Sequence, residues 1–163
     1  MGQPSQVCAS RARPTTAHAT TRSDGAQGDA HKDSTTTTTL EKDREGATVT
    51  KEGTETLQVH RNGHVVLSSP TNTGVSGAET ASGAFPIFER FTSTTMTGTN
   101  PDGSHYSDPG VPWVSYFNGG DAVHGFDRGS YGSPQSNGCV ELPPNMAAKA
   151  YPMLSIGTMV VVS

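Results

Sequence analysis

The first third of the chain has almost no side chains that could build a hydrophobic core. Large apolar residues are scarce in positions 1–56, and every Phe, Trp and Tyr lies between Phe85 and Tyr151. A segment without apolar area to bury cannot offset the entropy lost on folding. We therefore predict a disordered Thr/Ser-rich leader or linker over residues 1–46 and a single folded domain over residues 47–163.

Long apolar runs and an excess of basic charge are also missing. No run approaches the ~18 consecutive apolar residues that indicate a membrane-spanning helix, so we expect no transmembrane segment. The chain has 11 Lys and Arg against 15 Asp and Glu, a formal net charge of -4, and no basic stripe. This argues against nucleic-acid binding. The N-terminus lacks the apolar segment of a secretory signal peptide, so no signal peptide is visible.

From about residue 47 onward, short runs typical of β-strands alternate with turn residues. The Asn62-Gly63 pair predicts a tight hairpin, because both residues accept positive φ. Asn145–Tyr151 is the single helical candidate, opened by Pro143-Pro144 and ended by Pro152. We predict a mostly-β sandwich or barrel with one short helix. The predicted strands are 47–50, 57–60, 64–68, 85–91, 111–117 and 159–162.

Only two cysteines are present, and we expect no disulfide between them. Cys8 lies in the predicted leader, where ordering would cost entropy with little packing in return. Cys139 follows a small polar loop, Ser133–Gly138. Such a loop suits a nucleophile, because glycine permits a tight turn and nearby backbone N–H groups can stabilise an oxyanion. The alternative is an inert buried thiol, the commoner role of a lone cysteine.

His124 is the candidate base for this thiol. It ends a β-type run and is followed by Gly125, so its imidazole can approach a thiol with an ordinary pKa of about 8.5 and remove its proton. A histidine that only forms structural hydrogen bonds at the end of a sheet is the alternative.

Together these residues resemble the signature of L,D-transpeptidase catalytic domains of the YkuD type. That signature is a His-Gly pair followed, one to two dozen residues later, by Ser-His-Gly-Cys and an aliphatic residue. The matching residues here are His124-Gly125 and Ser136-Asn137-Gly138-Cys139-Val140. Further segments are similar to the family's opening hairpin, its S-T-G and T-P-x-G-x-F stretches, the residues before the His, and its closing G-T-x-V, namely 59–68, 69–74, 80–85, 116–120 and 155–158.

The resemblance implies a peptidoglycan L,D-transpeptidase of the bacterial cell envelope, acting outside the cytoplasm in cell wall biogenesis and cell shape. It implies that His124 deprotonates Cys139, which then forms an acyl-enzyme with a donor stem peptide, and that an acceptor amine completes the crosslink. The N–H groups of Gly138 and Cys139 would stabilise the oxyanion, while Ser136 and Asn137 would shape the loop. Neither a metal nor another cofactor is implied. Peptidoglycan stem peptides are the implied partners, and carbapenem β-lactams the implied covalent inhibitors.

Two residues depart from the family pattern. Asn137 stands where the family usually has a second histidine, and it cannot titrate. Glu141 stands where the family often has an arginine two residues after the cysteine. In the cleft, Glu141 would bind substrate with reversed charge preference and repel free stem-peptide carboxylates. The alternative is that Glu141 points to solvent beside Lys149 or Arg128.

Weaker candidates complete the set. Trp113 and Tyr116 lie on one predicted strand and are candidates for lining a substrate cleft, although most such aromatics belong to the core. His60 and His64 are four residues apart, but the intervening turn argues against a zinc site.

Two other functions use the same residues. If water replaces the acceptor amine, the same site is an L,D-carboxypeptidase. The departures at Asn137 and Glu141 also allow a wall-binding β module whose catalytic pair has decayed.

Overall fold

The computed structural model describes residues 45–163, and its first strand begins at Gly46. Residues 1–44, which hold nearly all of the predicted leader, lie outside the described residues. The division into leader and domain therefore stays a prediction. In the part of the chain that the structure describes, no helix is long and apolar enough to cross a membrane.

The described residues form nine strands and one α-helix. The strands are β1 (Gly46–Thr50), β2 (Thr56–Arg61), β3 (His64–Pro70), β4 (Gly83–Pro86), β5 (Glu89–Thr99), β6 (His105–Asn118), β7 (Asp121–Gly125), β8 (Val140–Leu142) and β9 (Met159–Val162). The helix α1 spans Pro144–Ala150 and continues into a 3₁₀ turn at Tyr151–Met153. The prediction of a mostly-β fold with one short helix is confirmed.

The strands form two sheets. The first has the order β3-β2-β1-β9-β4 and the second the order β5-β6-β7-β8. Two neighbouring pairs are parallel, β1 with β9 and β7 with β8, and the other pairs are antiparallel. The main core contains apolar side chains from both sheets and from α1, including Leu57, Val59, Val123 and Leu142. Full burial of each such side chain contributes about 1.5–3 kcal/mol.

Local signals account for the parts that the sequence predicted well. Asn62 and Gly63 both have positive φ, 49° and 73°, and join β2 to β3 as a hairpin. Pro144 begins α1 because a proline at the first helical position loses only an N–H that would have had no partner. The observed helix begins and ends one residue earlier than predicted, and Pro152 lies in the 3₁₀ turn that follows it.

The β5–β6 hairpin is much longer than the sequence indicated. The predicted run 85–91 is divided between β4 and β5, and β5 continues to Thr99 through a polar, threonine-rich stretch. That stretch has little apolar periodicity, so the sequence analysis left it unassigned. Threonine is β-branched and fits a pleated strand. The pairing of β5 with β6, which has a register shift between Thr94 and Met96, keeps this stretch extended.

A buried carboxylate fixes the segment that supports the candidate site. Glu55 is 1% exposed, and its oxygens accept hydrogen bonds from the Thr73 backbone N–H (2.7 Å) and the Thr73 hydroxyl (2.6 Å). The Thr73 carbonyl in turn accepts the backbone N–H groups of Gln135 and Ser136, both at 2.9 Å. Glu55 thereby holds the loop that leads to Cys139.

Replacing Glu55 should destabilise the domain strongly. Glu55→Ala removes the acceptor of two buried hydrogen bonds, and we expect the free energy of unfolding to fall by about 3 kcal/mol. Glu52 is exposed in the same loop between β1 and β2, so Glu52→Ala is the matched control and should change stability by less than about 0.5 kcal/mol. Urea denaturation measures both, and equal losses would contradict this role for Glu55.

Candidate active site

Cys139 lies immediately before β8 and is fully buried. It packs in a second apolar cluster with Tyr116 and Ala122, beneath the β5–β6 hairpin. Its Sγ atom lies 3.7 Å from the carbonyl oxygen of Gly120. The sulfur is disulfide-bonded in this structure. The expectation that Cys139 forms no disulfide is therefore wrong, because it was based on packing alone and a disulfide is a covalent bond. Cys8 itself lies outside the described residues.

His124 is buried in β7, and one nitrogen of its imidazole ring forms a hydrogen bond. Nδ1 lies 3.0 Å from the Gly125 carbonyl oxygen. A carbonyl can only accept, so Nδ1 carries the hydrogen and Nε2 carries the lone pair. Nε2 is buried and has no hydrogen-bond partner among residues 45–163. Burial lowers the pKa of His124, while Glu141 opposes that effect, so the ring is a neutral base near pH 7.

The pairing of β7 with β8 places the two residues on one face of the second sheet. In this parallel ladder His124 lies opposite Glu141, and Cys139 lies two residues before Glu141. Because side chains alternate along a strand, Cys139, Glu141 and His124 share a face. Val123 and Val140 point to the other face, into the main core. The structure thus brings together the two residues that the sequence analysis paired.

The loop before Cys139 is held by its own side chains. The Ser136 hydroxyl donates to the Cys139 carbonyl oxygen (2.6 Å) and accepts the Gly138 N–H (3.2 Å). The Gly138 N–H, which was expected to stabilise an oxyanion, is thus directed at Ser136. Gly138 has φ +104°, and a Cβ atom there would lie 2.7 Å from an Asp121 carboxylate oxygen, so only glycine fits.

Asn137 connects this loop to the hairpin above it. Its side-chain amide donates to the Asn100 side-chain oxygen at 2.7 Å, and Asn100 lies at the tip of the β5–β6 hairpin. The residue at the family's usual second-histidine position therefore bridges the loop and the hairpin.

Glu141 lies in the site as the buried partner of Arg128, and not as an exposed charge facing substrate or solvent. The Arg128 guanidinium donates from Nε and Nη2 to the two carboxylate oxygens, both at 2.8 Å. The side chains are 6% and 0% exposed, respectively. The guanidinium also donates to the Gln135 carbonyl oxygen at 3.2 Å and lies 4.7 Å above the Phe126 ring. The sequence analysis named Arg128 only as a possible surface neighbour.

The two aromatic candidates face opposite sides of β6. Tyr116 belongs to the cluster that contains Cys139 and contacts the rings of Phe88 and Phe91 at centroid distances of 6.4 and 6.3 Å. Trp113 packs against the main core, with its ring 5.5 Å from that of Tyr151. Its φ of +60° is unusual for a residue with a side chain. The structure therefore places Tyr116 near Cys139 and places Trp113 away from it.

Asp108 is a site residue that the sequence analysis missed. Burial raises the pKa of its carboxyl group, and it acts electrostatically on His124 together with Arg128 and Glu141. No motif marks Asp108, and its proximity depends on the pairing of strands far apart in sequence. Phe88, which is exposed and stacks on Tyr116, lies within the predicted strand 85–91, and no motif in the sequence marks it.

The described residues contain no group of three His, Cys, Asp or Glu side chains that could hold a metal ion. His60 lies in β2, with Nε2 3.1 Å from the Thr48 hydroxyl, and His64 begins the opposite strand of the hairpin.

Comparisons with known proteins identify the family of this domain. The family model of the L,D-transpeptidase catalytic domain matches residues 44–162. The solution structure of the catalytic domain of an Enterococcus faecium L,D-transpeptidase is 26% identical, with a TM-score of 0.67, over 74% of this chain and 98% of that one. The same domain acylated by ertapenem gives 26% identity, the same coverage and a TM-score of 0.62.

A longer relative shows the extent of the match. An L,D-transpeptidase from Mycobacterium smegmatis is 26% identical with a TM-score of 0.61, and the match covers 72% of this chain and 57% of that one. This chain thus spans little more than half of that protein's length. No curated protein sequence matches the chain. A match of the family model to most of the chain, on a fold shared with these enzymes, establishes that the chain belongs to the L,D-transpeptidase catalytic-domain family.

Proposed function

We propose that this protein is a peptidoglycan L,D-transpeptidase that crosslinks stem peptides through an acyl-enzyme on Cys139. The observation that carries the proposal is the unpartnered, buried Nε2 of His124 on the sheet face that also holds Cys139. A nitrogen with a lone pair and no partner is costly in a protein interior, and a catalytic task accounts for it.

The first half-reaction forms the acyl-enzyme. Nε2 of His124 takes the proton from the Cys139 thiol, and the thiolate attacks the carbonyl carbon before the terminal D-residue of the donor. The Cys139 N–H stabilises the oxygen that becomes negative. The C–N bond then breaks, and the leaving amine takes the proton from the imidazolium of His124.

The second half-reaction transfers the acyl group. The acceptor amine attacks the thioester while His124 removes a proton from that amine, and the Cys139 thiolate leaves. Attack by water instead gives the L,D-carboxypeptidase outcome. Tyr116, which packs beside Cys139, is the aromatic residue that we place next to the donor.

The disulfide at Cys139 determines when this chemistry can occur. A disulfide sulfur has neither a proton to lose nor a thiolate to attack with, so the proposed acylation needs the free thiol of Cys139, which a thiol reductant produces by giving two electrons and two protons to the disulfide. We place the reaction outside the cytoplasm, at the bacterial cell envelope, where its stem-peptide substrates are found.

Reduced protein should form a stable adduct with ertapenem on Cys139. Mass spectrometry should find the added mass of one ertapenem on the reduced wild-type chain and none on Cys139→Ser, whose hydroxyl has a much higher pKa than the thiol that His124 serves. Cys8→Ser is the matched control, because it changes the other cysteine in the same way and should retain the adduct.

Other outcomes of this experiment discriminate between the functions. No adduct on reduced wild-type protein would contradict the proposal and favour the decayed wall-binding module. With a tetrapeptide donor, release of the terminal D-residue without crosslinked product in the presence of acceptor would assign the carboxypeptidase.

The acylation rate should stay high to an unusually low pH. Since burial lowers the pKa of His124 below its ordinary value of 6.5, the neutral imidazole persists as the pH falls, and the rate should decline only below 6.5. Stopped-flow measurement of ertapenem acylation from about pH 4.5 to about pH 8, a range that spans the ordinary titration of histidine, checks this. His124→Gln should acylate much more slowly and should not show the decline in rate at low pH. A midpoint of the wild-type pH profile above 6.5 would contradict the assignment of His124 as the base.

A further inference from the structure

The face of the second sheet that holds the catalytic pair also holds fixed charges. Glu141 lies opposite His124 in the parallel ladder of β7 and β8, and Arg128 neutralises it through two hydrogen bonds of 2.8 Å. Asp108 comes from β6. On the other face α1 packs against β7, where its Lys149 is exposed to solvent. On β7 itself, burial raises the pKa of the Asp121 carboxyl group to about 6. These charged groups lie on the elements that pack around the imidazole.

Arg128 also contacts the chain that follows His124. The Arg128 backbone N–H donates to the Tyr131 hydroxyl (3.1 Å), which donates to the Phe126 carbonyl oxygen (2.6 Å). The guanidinium covers one face of the Phe126 ring, and that ring meets the His124 ring edge to face at a centroid distance of 6.0 Å. Arg128 therefore contacts the imidazole's neighbour on one side and Glu141 on the other.

Burying the Arg128–Glu141 ion pair has an energetic cost, which suggests that the pair has a role beyond stability. Removing two charges from water carries a desolvation penalty that their attraction only offsets when the geometry is good, and apolar residues of similar volume would often be as stable. Arg128 and Glu141 form a bidentate contact that is almost entirely buried, and Glu141 lies directly across the β7–β8 ladder from the proposed base.

We propose that Arg128 and Glu141 form a positioning pair that orients the His124 imidazole and balances the electrostatic field at its Nε2 atom. The proposal rests on the proposed function of His124, and it concerns residues that act through that ring and touch no substrate. Each member has the opposite effect on imidazolium. The carboxylate favours the protonated ring and the guanidinium opposes it, and this agrees with the directions in which the two groups act on the His124 pKa.

The test is a comparison of three variants of the reduced, full chain. NMR titration measures the pH midpoint of His124 protonation directly, and the pH dependence of ertapenem acylation measures the same midpoint through activity. Glu141→Gln leaves the cation unbalanced and should lower the midpoint by about one pH unit. Arg128→Gln leaves the carboxylate and should raise it by about the same amount. The double variant removes both charges and should return the midpoint to within a few tenths of wild type.

Opposite shifts separate this role from a merely structural one. If the pair only stabilised the fold, each single variant would lower the free energy of unfolding, but the two variants would not move the His124 midpoint in opposite directions. Shifts in the same direction, or no shift in Glu141→Gln, overturn the proposal. If Arg128→Gln does not fold, Glu141→Gln and the double variant still decide it, because neither contains a buried unpaired carboxylate at this position.

Two further variants complete the design. Asp127→Asn removes an exposed charge next to Arg128 in sequence and should leave the midpoint unchanged. Arg128→Lys keeps the charge but not the two-pronged contact, so it should keep the wild-type midpoint while slowing acylation several-fold. The NMR titration needs no turnover. An inactive wild-type protein would therefore refute the proposed function, while the shifts in the His124 midpoint would still test the role of Arg128 and Glu141.

Discussion

The parallel register of β7 and β8 is the constraint on which the site depends. Side chains alternate along a strand, so a shift of one residue would turn Cys139 and Glu141 into the main core and bring Val140 to the site. The register is fixed by burial, because Val123, Val140 and Leu142 pack in that core with essentially no exposure. The hydrophobic effect on one face of the sheet thus positions the polar groups on the other face.

A parallel pair needs a crossover connection, and here the crossover carries the catalytic loop. The residues between β7 and β8 form no strand or helix, so their backbone N–H groups need partners elsewhere. The carbonyl groups of Thr71 and Thr73 accept several of these N–H groups. Glu55, buried beside that segment, holds Thr73 in turn. The position of the cysteine therefore depends on a carboxylate more than eighty positions earlier in the chain, through a continuous series of hydrogen bonds.

The charges in the site are balanced locally. The family often has an arginine two residues after the cysteine, and this chain has Glu141 there, with the guanidinium supplied by Arg128 from the crossover. The exchange keeps a cation near the catalytic pair but places an anion directly across from His124. Because both side chains are buried, their charges act on the imidazole more strongly than surface charges would, which gives the pair influence over the base without contact with substrate.

The sequence by itself determined the local features and singled out the two residues that we propose as the catalytic pair. Asn62-Gly63 specifies its hairpin and the prolines bound α1, because backbone preferences of these residues act within a few positions. The motifs around His124 and Cys139 are equally local. Only the tertiary structure decided the pairing of Arg128 with Glu141, the proximity of Asp108, the face on which Trp113 lies, the full length of the β5–β6 hairpin and the disulfide at Cys139. The physical reason is that contacts between distant strands and loops depend on register and burial, which no single segment of the sequence contains.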